Sequence, residues 1–150
     1  MVDAEALVRE YMSAWTADYP QLSRLRSPDF VEEWPQSGER IRGDANYRAI
    51  HERYPGGMPT YEGRELSGAE RPKSQRGGSW ALSPSFTLIH LSGGAEGIFT
   101  AEGVLEYPGG KKVNAIAVIQ VVDGKVARQR TYFAEQFEAP EWRAQWVERI

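Results

Sequence analysis

Two hydrophobic periods divide the chain. Between Asp3 and Tyr19 the apolar positions Leu7, Val8, Tyr11, Met12, Trp15 and Tyr19 recur every three or four residues, the spacing that gathers side chains on one face of a helix. Asp3 can cap this helix, and Glu5 suits the positive end of its dipole. Pro20 predicts the opening of a short second helix to Leu25, because proline in a first turn gives up no internal hydrogen bond, and Ser27-Pro28 stops it. A third helix is expected over 44–54, with Tyr47, Ile50, His51 and Tyr54 on one face and Pro55-Gly56-Gly57 at its end. From residue 97 the period is two. Runs 97–107, 111–122 and 126–137 are separated by Pro108-Gly109-Gly110 and Asp123-Gly124, residues that supply the left-handed backbone of a hairpin turn. They predict an antiparallel meander that leads into Pro140-Glu141-Trp142, where a short terminal helix begins. Phe30 to Trp34 and Glu39 to Ile41 flank Pro35-Gln36-Ser37-Gly38 as a smaller hairpin. An edge strand is expected over 61–66 and a further strand over 86–91, while the basic, turn-rich run 71–78 reads as a solvated, mobile loop or, as the alternative, an anion-binding lid.

Length and composition narrow the classes. At 150 residues the chain fits one domain, which buries about 70% of the surface its unfolded form exposes. A formal net charge of -3 leaves no basic footprint, so neither nucleic acid nor an anionic membrane is an expected partner. With 0 cysteines there is no disulfide, thiolate zinc site or cysteine nucleophile. The start, Met-Val-Asp-Ala-Glu, has neither a basic nor an apolar run, and no apolar segment is long enough to span a bilayer, so a cytoplasmic location is expected. No internal repeat or linker divides the chain.

The longer motifs carry a resemblance. Val31-Glu32-Glu33-Trp34-Pro35-Gln36-Ser37-Gly38-Glu39-Arg40-Ile41-Arg42-Gly43, Asp123-Gly124-Lys125-Val126, and Tyr132-Phe133-Ala134-Glu135 followed by Phe137-Glu138-Ala139-Pro140-Glu141-Trp142-Arg143-Ala144-Gln145-Trp146 resemble the SnoaL-like branch of the nuclear transport factor 2-like superfamily. The resemblance implies an α+β fold, in which a curved, mostly antiparallel sheet forms a cone closed by three N-terminal helices and a short C-terminal helix. It also implies a small apolar ligand in that cone and a homodimer formed through the sheets.

Two enzyme templates of the superfamily can be laid on the chain. The resemblance to ketosteroid isomerases places Tyr11 on their oxyanion-hole tyrosine, but Trp34 stands at the base before Pro35 and Ala117 at the oxyanion-hole acid. Against limonene epoxide hydrolases, Gly103, Leu105 and Thr131 replace the Arg and the two Asp that open the epoxide. A phenol without a base in reach cannot remove a carbon-bound proton, so both reactions are disfavoured.

The candidate chemistry that remains is acid–base. Tyr11 is either a ligand hydrogen-bond donor or a core tyrosine; His51 and His90 are the two imidazoles able to titrate near neutrality. Glu135, inward by strand parity, is either a desolvated base or half of an ion pair with an arginine. Trp15, Trp34, Tyr47, Phe99, Leu105, Ala117, Thr131 and Phe133 are the expected ligand-binding walls. Glu102, Glu106, Arg128 and Arg130 fall on the outer parity and read as sheet surface, whereas Trp142 and Trp146 are expected to pack on the sheet or on a partner subunit. Two histidines with no aligned carboxylate give no metal site, and no motif implies a cofactor. The expected function is binding of a small hydrophobic or aromatic metabolite, with cofactor-free cyclase, isomerase or dehydratase chemistry if it is an enzyme. The alternative is a non-enzymatic interaction or dimerisation module with a filled core, and the volume of the pocket separates the two.

Overall fold

A computed structural model describes residues 3–63, 80–82, 87–92 and 97–149. Helix α1 (Ala4–Ala14) starts as expected, with the Asp3 carboxylate accepting from the Glu5 and Ala6 amides at 3.0 and 3.3 Å. It ends earlier than the apolar period suggests. Trp15 has already left helical geometry and Thr16 takes a positive φ of 72°, so Asp18 is free to cap α2 (Tyr19–Leu25) through the Gln21 amide. Helix α3 (Gly43–Glu52) follows the β1–β2 hairpin, formed by β1 (Arg26–Trp34) and β2 (Glu39–Arg42). Strand β1 starts four residues before Phe30, and Ser27-Pro28, expected to be a stop, lies inside it where its pairing with the last strand is irregular. Proline is tolerated at such a bulge because no ladder hydrogen bond is needed there.

The remaining strands are β3 (Thr60–Gly63), β4 (Trp80–Leu82), β5 (Thr87–Ser92), β6 (Gly97–Glu106), β7 (Lys112–Val122) and β8 (Lys125–Glu135). Among the described residues they form one open sheet in the order β2-β1-β8-β7-β6-β5-β4, with β3 also on β6. One edge of β6 is thus shared: β5 pairs with residues 97–102 and β3 with 103–106. The pairs are antiparallel except β1 with β8. The expected loop over 71–78 and the ends of the predicted strands at Leu66 and Phe86 lie outside the described residues.

Strand alternation decides what faces the helices. Phe99, Ala101 and Leu105 of β6, Val113, Ala115, Ala117 and Ile119 of β7, and Gln129 and Thr131 of β8 are buried against Leu7, Val8, Tyr11 and Met12 of α1. Small side chains at Ala101, Ala115 and Ala117 let the helix lie close on the sheet. A register shift between Gln120 and Val121 in the β7–β8 ladder lets Val126 and Gln129, three apart, both face inward. Burying this apolar surface is the main stabilising term, at roughly 25 cal/mol per Å². The C-terminal element is a single 3-10 helix (Glu141–Trp146), and Trp142 and Trp146 are 73% and 72% exposed. They do not pack on the sheet. Among the described residues no helix is long and apolar enough to cross a membrane.

Candidate functional site

At one end of the sheet the helices leave a cavity of about 480 Å³. Trp15 reaches it because α1 ends there, Trp34 because it closes the inward row of β1, and Leu105, Val113 and Phe133 because they end the inward rows of β6, β7 and β8. Trp34 and Phe133 meet edge to face, with centroids 6.2 Å apart. The rim is polar, with Lys111 paired to Glu135 where the strands run out into solvent.

Glu32 lines the same cavity and is its most unusual group. Phe30, Glu32 and Trp34 share the inward face of β1, and Glu32 is opposite Gln129 in the β8 register. Its neighbour Glu33 points outward, where Arg130 and Arg40 bind it at 2.7 and 2.8 Å. Glu32 itself is 1% exposed. Its Oε1 accepts from Thr131 Oγ1 at 2.7 Å, Gln129 Nε2 at 3.2 Å and Trp34 Nε1 at 3.2 Å. Oε2 is buried and has no partner. Burial pushes the carboxyl above its ordinary range, and the Thr131 hydroxyl opposes the shift without cancelling it.

The donors on Oε1 trace back to a buried arginine. Arg26 Nε and Nη2 donate to the Tyr11 hydroxyl at 3.2 and 3.0 Å, and the Tyr11 hydroxyl donates to Gln129 Oε1 at 2.6 Å. Arg26 Nη1 meets Asp44 at 2.9 Å, and its guanidinium lies 3.7 Å from the Tyr47 ring centroid and 4.2 Å from that of Phe30. Two aromatic faces therefore replace the water this cation has lost. On the other side of Tyr47, His51 stacks at 3.9 Å. Its Nδ1 lies 2.7 Å from the Tyr47 carbonyl oxygen, which only accepts, so Nδ1 carries the proton and Nε2 offers a lone pair. Burial lowers the proton affinity of His51 and favours this neutral form. His51 also lines the cavity.

The sequence-derived site residues separate into three groups. Trp15, Trp34, Leu105, Phe133, His51 and Glu135 surround the cavity. Tyr47, Phe99, Ala117 and Thr131 are buried but do not line it, and Tyr11 lies beneath it with its hydroxyl committed to Gln129 and Arg26. Burial raises the Tyr11 phenol far above its usual range. His90 is opposite Phe99 in the β5–β6 register, and its side chain lies outside the described part of the structure. Glu135 is not desolvated as its parity suggests: its side chain is 71% exposed, because β8 has run past the helices, and its partner is Lys111 rather than an arginine. The residues that sequence reasoning missed are Glu32 and Gln129. The signal was present in the alternation Phe30-Glu32-Trp34, which puts a carboxyl two residues from the template base position and on the same face. Among the described residues no cluster of three or more His, Asp or Glu could hold a metal.

The comparisons agree with this architecture. No protein-family model matches the sequence, and neither does any curated protein. The structure is similar to an NTF-2 like protein of unknown function from Burkholderia xenovorans LB400, with a TM-score of 0.68 and 25% identity over 98% of this chain and 94% of that one. It is also similar to a candidate ketosteroid isomerase from Kribbella flavida (TM-score 0.62, 24% identity, 98% and 89% covered). An LEH-like epoxide hydrolase from M. tuberculosis is more distant (TM-score 0.55, 20% identity, 87% and 81% covered). The chain therefore has the fold of the nuclear transport factor 2-like proteins.

Proposed function

We propose that this protein binds a small hydrophobic or aromatic metabolite in the Trp15–Trp34–Phe133 cavity and turns it over by cofactor-free acid–base chemistry of the isomerase, cyclase or dehydratase type. The observation that carries the reading is Glu32, a buried carboxyl lining the cavity, with one saturated oxygen and one unpartnered oxygen. A carboxyl whose proton affinity is raised by burial keeps its proton to higher pH than an exposed one and can give it to a ligand oxygen, or take one back. His51 Nε2 supplies a neutral acceptor in the same space. Likenesses to proteins described as an isomerase and an epoxide hydrolase support a small-molecule role, although Gly103, Leu105 and Thr131 lack the groups epoxide opening needs. An open space of about 480 Å³ favours ligand binding over an interaction module with a filled core.

A two-fold dimer through the outer face of the sheet completes the proposal. Ile116 and Tyr132, register partners on β7 and β8, are 41% and 42% exposed on that face. The ligand reading is tested by screening hydrophobic and aromatic metabolites for quenching of tryptophan fluorescence. Binders are expected to quench a Trp142→Phe/Trp146→Phe variant as they quench the parent, and to lose most of the signal in Trp15→Phe/Trp34→Phe. Quenching that vanishes with Trp142 and Trp146 instead, or no binder across the screen, overturns the reading.

A further inference from the structure

We propose that Thr131 and Gln129 are positioning residues that make Glu32 one-sided, and that Arg26, acting through Tyr11, fixes which end of the Gln129 amide faces it. The inference rests on Glu32 being the proton-transfer group of the proposed site, and it follows from counting protons along the buried chain. A guanidinium only donates. With Nε and Nη2 of Arg26 both directed at the Tyr11 oxygen, the single phenolic proton must leave in another direction, and at 2.6 Å it meets Gln129 Oε1. That choice turns the amide nitrogen toward β1. Nε2 then donates to Thr131 Oγ1 at 2.9 Å and to Glu32 Oε1 at 3.2 Å. Thr131, having accepted an N–H, gives its own proton to Glu32 Oε1 at 2.7 Å.

Every bond in the sequence Arg26, Tyr11, Gln129, Thr131, Glu32 therefore runs the same way, from a group that can only donate to an oxygen that can only accept. Trp34 Nε1 adds a third donor to the same oxygen. The result is an asymmetric carboxyl: Oε1 is saturated, and Oε2 is the oxygen at which a proton or a ligand atom is exchanged. A flipped Gln129 would set its oxygen against Glu32 Oε1, could be met only by the Thr131 proton that Glu32 now receives, and would present N–H groups to a phenol that already holds two donors. Reversal is blocked at Arg26, which does not touch the cavity.

The groups facing Glu32 are few. Helix α1 contributes Tyr11, α3 contributes Tyr47, β1 contributes Arg26 and Trp34, and β8 contributes the neutral Gln129 and Thr131; Asp44 pairs with Arg26, and His51, Lys111 and Glu135 stand on the same cavity. Arg26 is ion-paired to Asp44 at 2.9 Å. Burial is the largest influence on the Glu32 carboxyl, and the Thr131 hydroxyl on Oε1 is the largest influence that opposes it, ahead of the Arg26 charge. If these residues were only packing, their loss would change stability and leave the Glu32 titration where it was.

The test needs no substrate. In the full chain labelled with 13C at glutamate carboxyls, the Glu32 resonance is identified by its absence from Glu32→Gln and followed across pH. Thr131→Val, which keeps the shape and removes the hydroxyl, is expected to move the midpoint to higher pH, and Thr131→Ser to return it to the parent position. Tyr11→Phe is expected to move it in the same direction although Tyr11 lines no part of the cavity. An unmoved midpoint in folded Thr131→Val overturns the positioning role, and an unmoved midpoint in folded Tyr11→Phe overturns the long-range half. Should Tyr11→Phe fail to fold, Arg26→Lys, which keeps the charge and removes the forked donation to the Tyr11 oxygen, asks the same long-range question by the same readout. Absence of any ligand would refute the proposed function while leaving this titration as it stands.

Discussion

Replacing Glu32 by glutamine is expected to stabilise the protein at neutral and alkaline pH, the reverse of what most buried polar substitutions do. The amide keeps an oxygen where Oε1 accepts from Thr131, Gln129 and Trp34, and puts an uncharged NH2 where Oε2 lies buried without a partner. Below the ordinary carboxylate range both proteins carry a neutral group there, and their stabilities nearly coincide. The native carboxyl of Glu32 binds its proton more tightly than the unfolded one, whose pKa is about 4.3. As pH rises between those two values the folded state holds the extra proton, so the wild type loses stability, at up to about 1.4 kcal/mol per pH unit, and the loss levels off once the native carboxyl has ionised. Glu32→Gln has no such slope. The stability difference should therefore grow with pH and then reach a plateau. Urea unfolding at closely spaced pH values from acid to mildly alkaline measures both curves with the same m-value check. A difference that is constant with pH, or one that turns against glutamine as pH rises, would refute the argument that burial dominates the environment of Glu32.

Two further outcomes test other parts of the structure. An ideal Cβ at Gly103 would stand 2.4 Å from the Tyr61 ring, so Gly103→Ala is expected to destabilise by about 1–3 kcal/mol through overpacking, and Tyr61→Leu in the same chain should restore part of the loss in denaturant melts; an unaltered melt for the single variant would contradict this packing. Ile116→Lys on the outer face of β7 is expected to convert a dimer to monomer by light scattering with the fold intact, and a wild-type monomer at micromolar concentration would sink the dimer proposal.

How much was legible in the chain differs by element. Periods of 3.6 and 2, the Asp3 cap and the glycine turns depend on neighbours a few residues apart, so the helices, the three long strands and their hairpin connections could be read directly. Parity went nearly as far: it put Phe99, Leu105, Ala117, Thr131 and Phe133 on the inner face without any tertiary information. Parity could not say how far the helices extend over each strand. Glu135 has the inward phase and stands in solvent because β8 outruns its cover, whereas Trp15 reaches the cavity because α1 stops sooner than its apolar period does.

The sequence by itself determined the elements and the inner face of the sheet, since each follows from local spacing and turn chemistry. Only the tertiary structure decided which polar groups lose their water. Arg26, Tyr11, Gln129, Thr131 and Glu32 are spread over more than a hundred residues, and the parallel pairing of β1 with β8 brings them together. Desolvation is a property of that assembly and of no single residue in it, because a carboxyl holds its proton only when enough of the chain has closed around it.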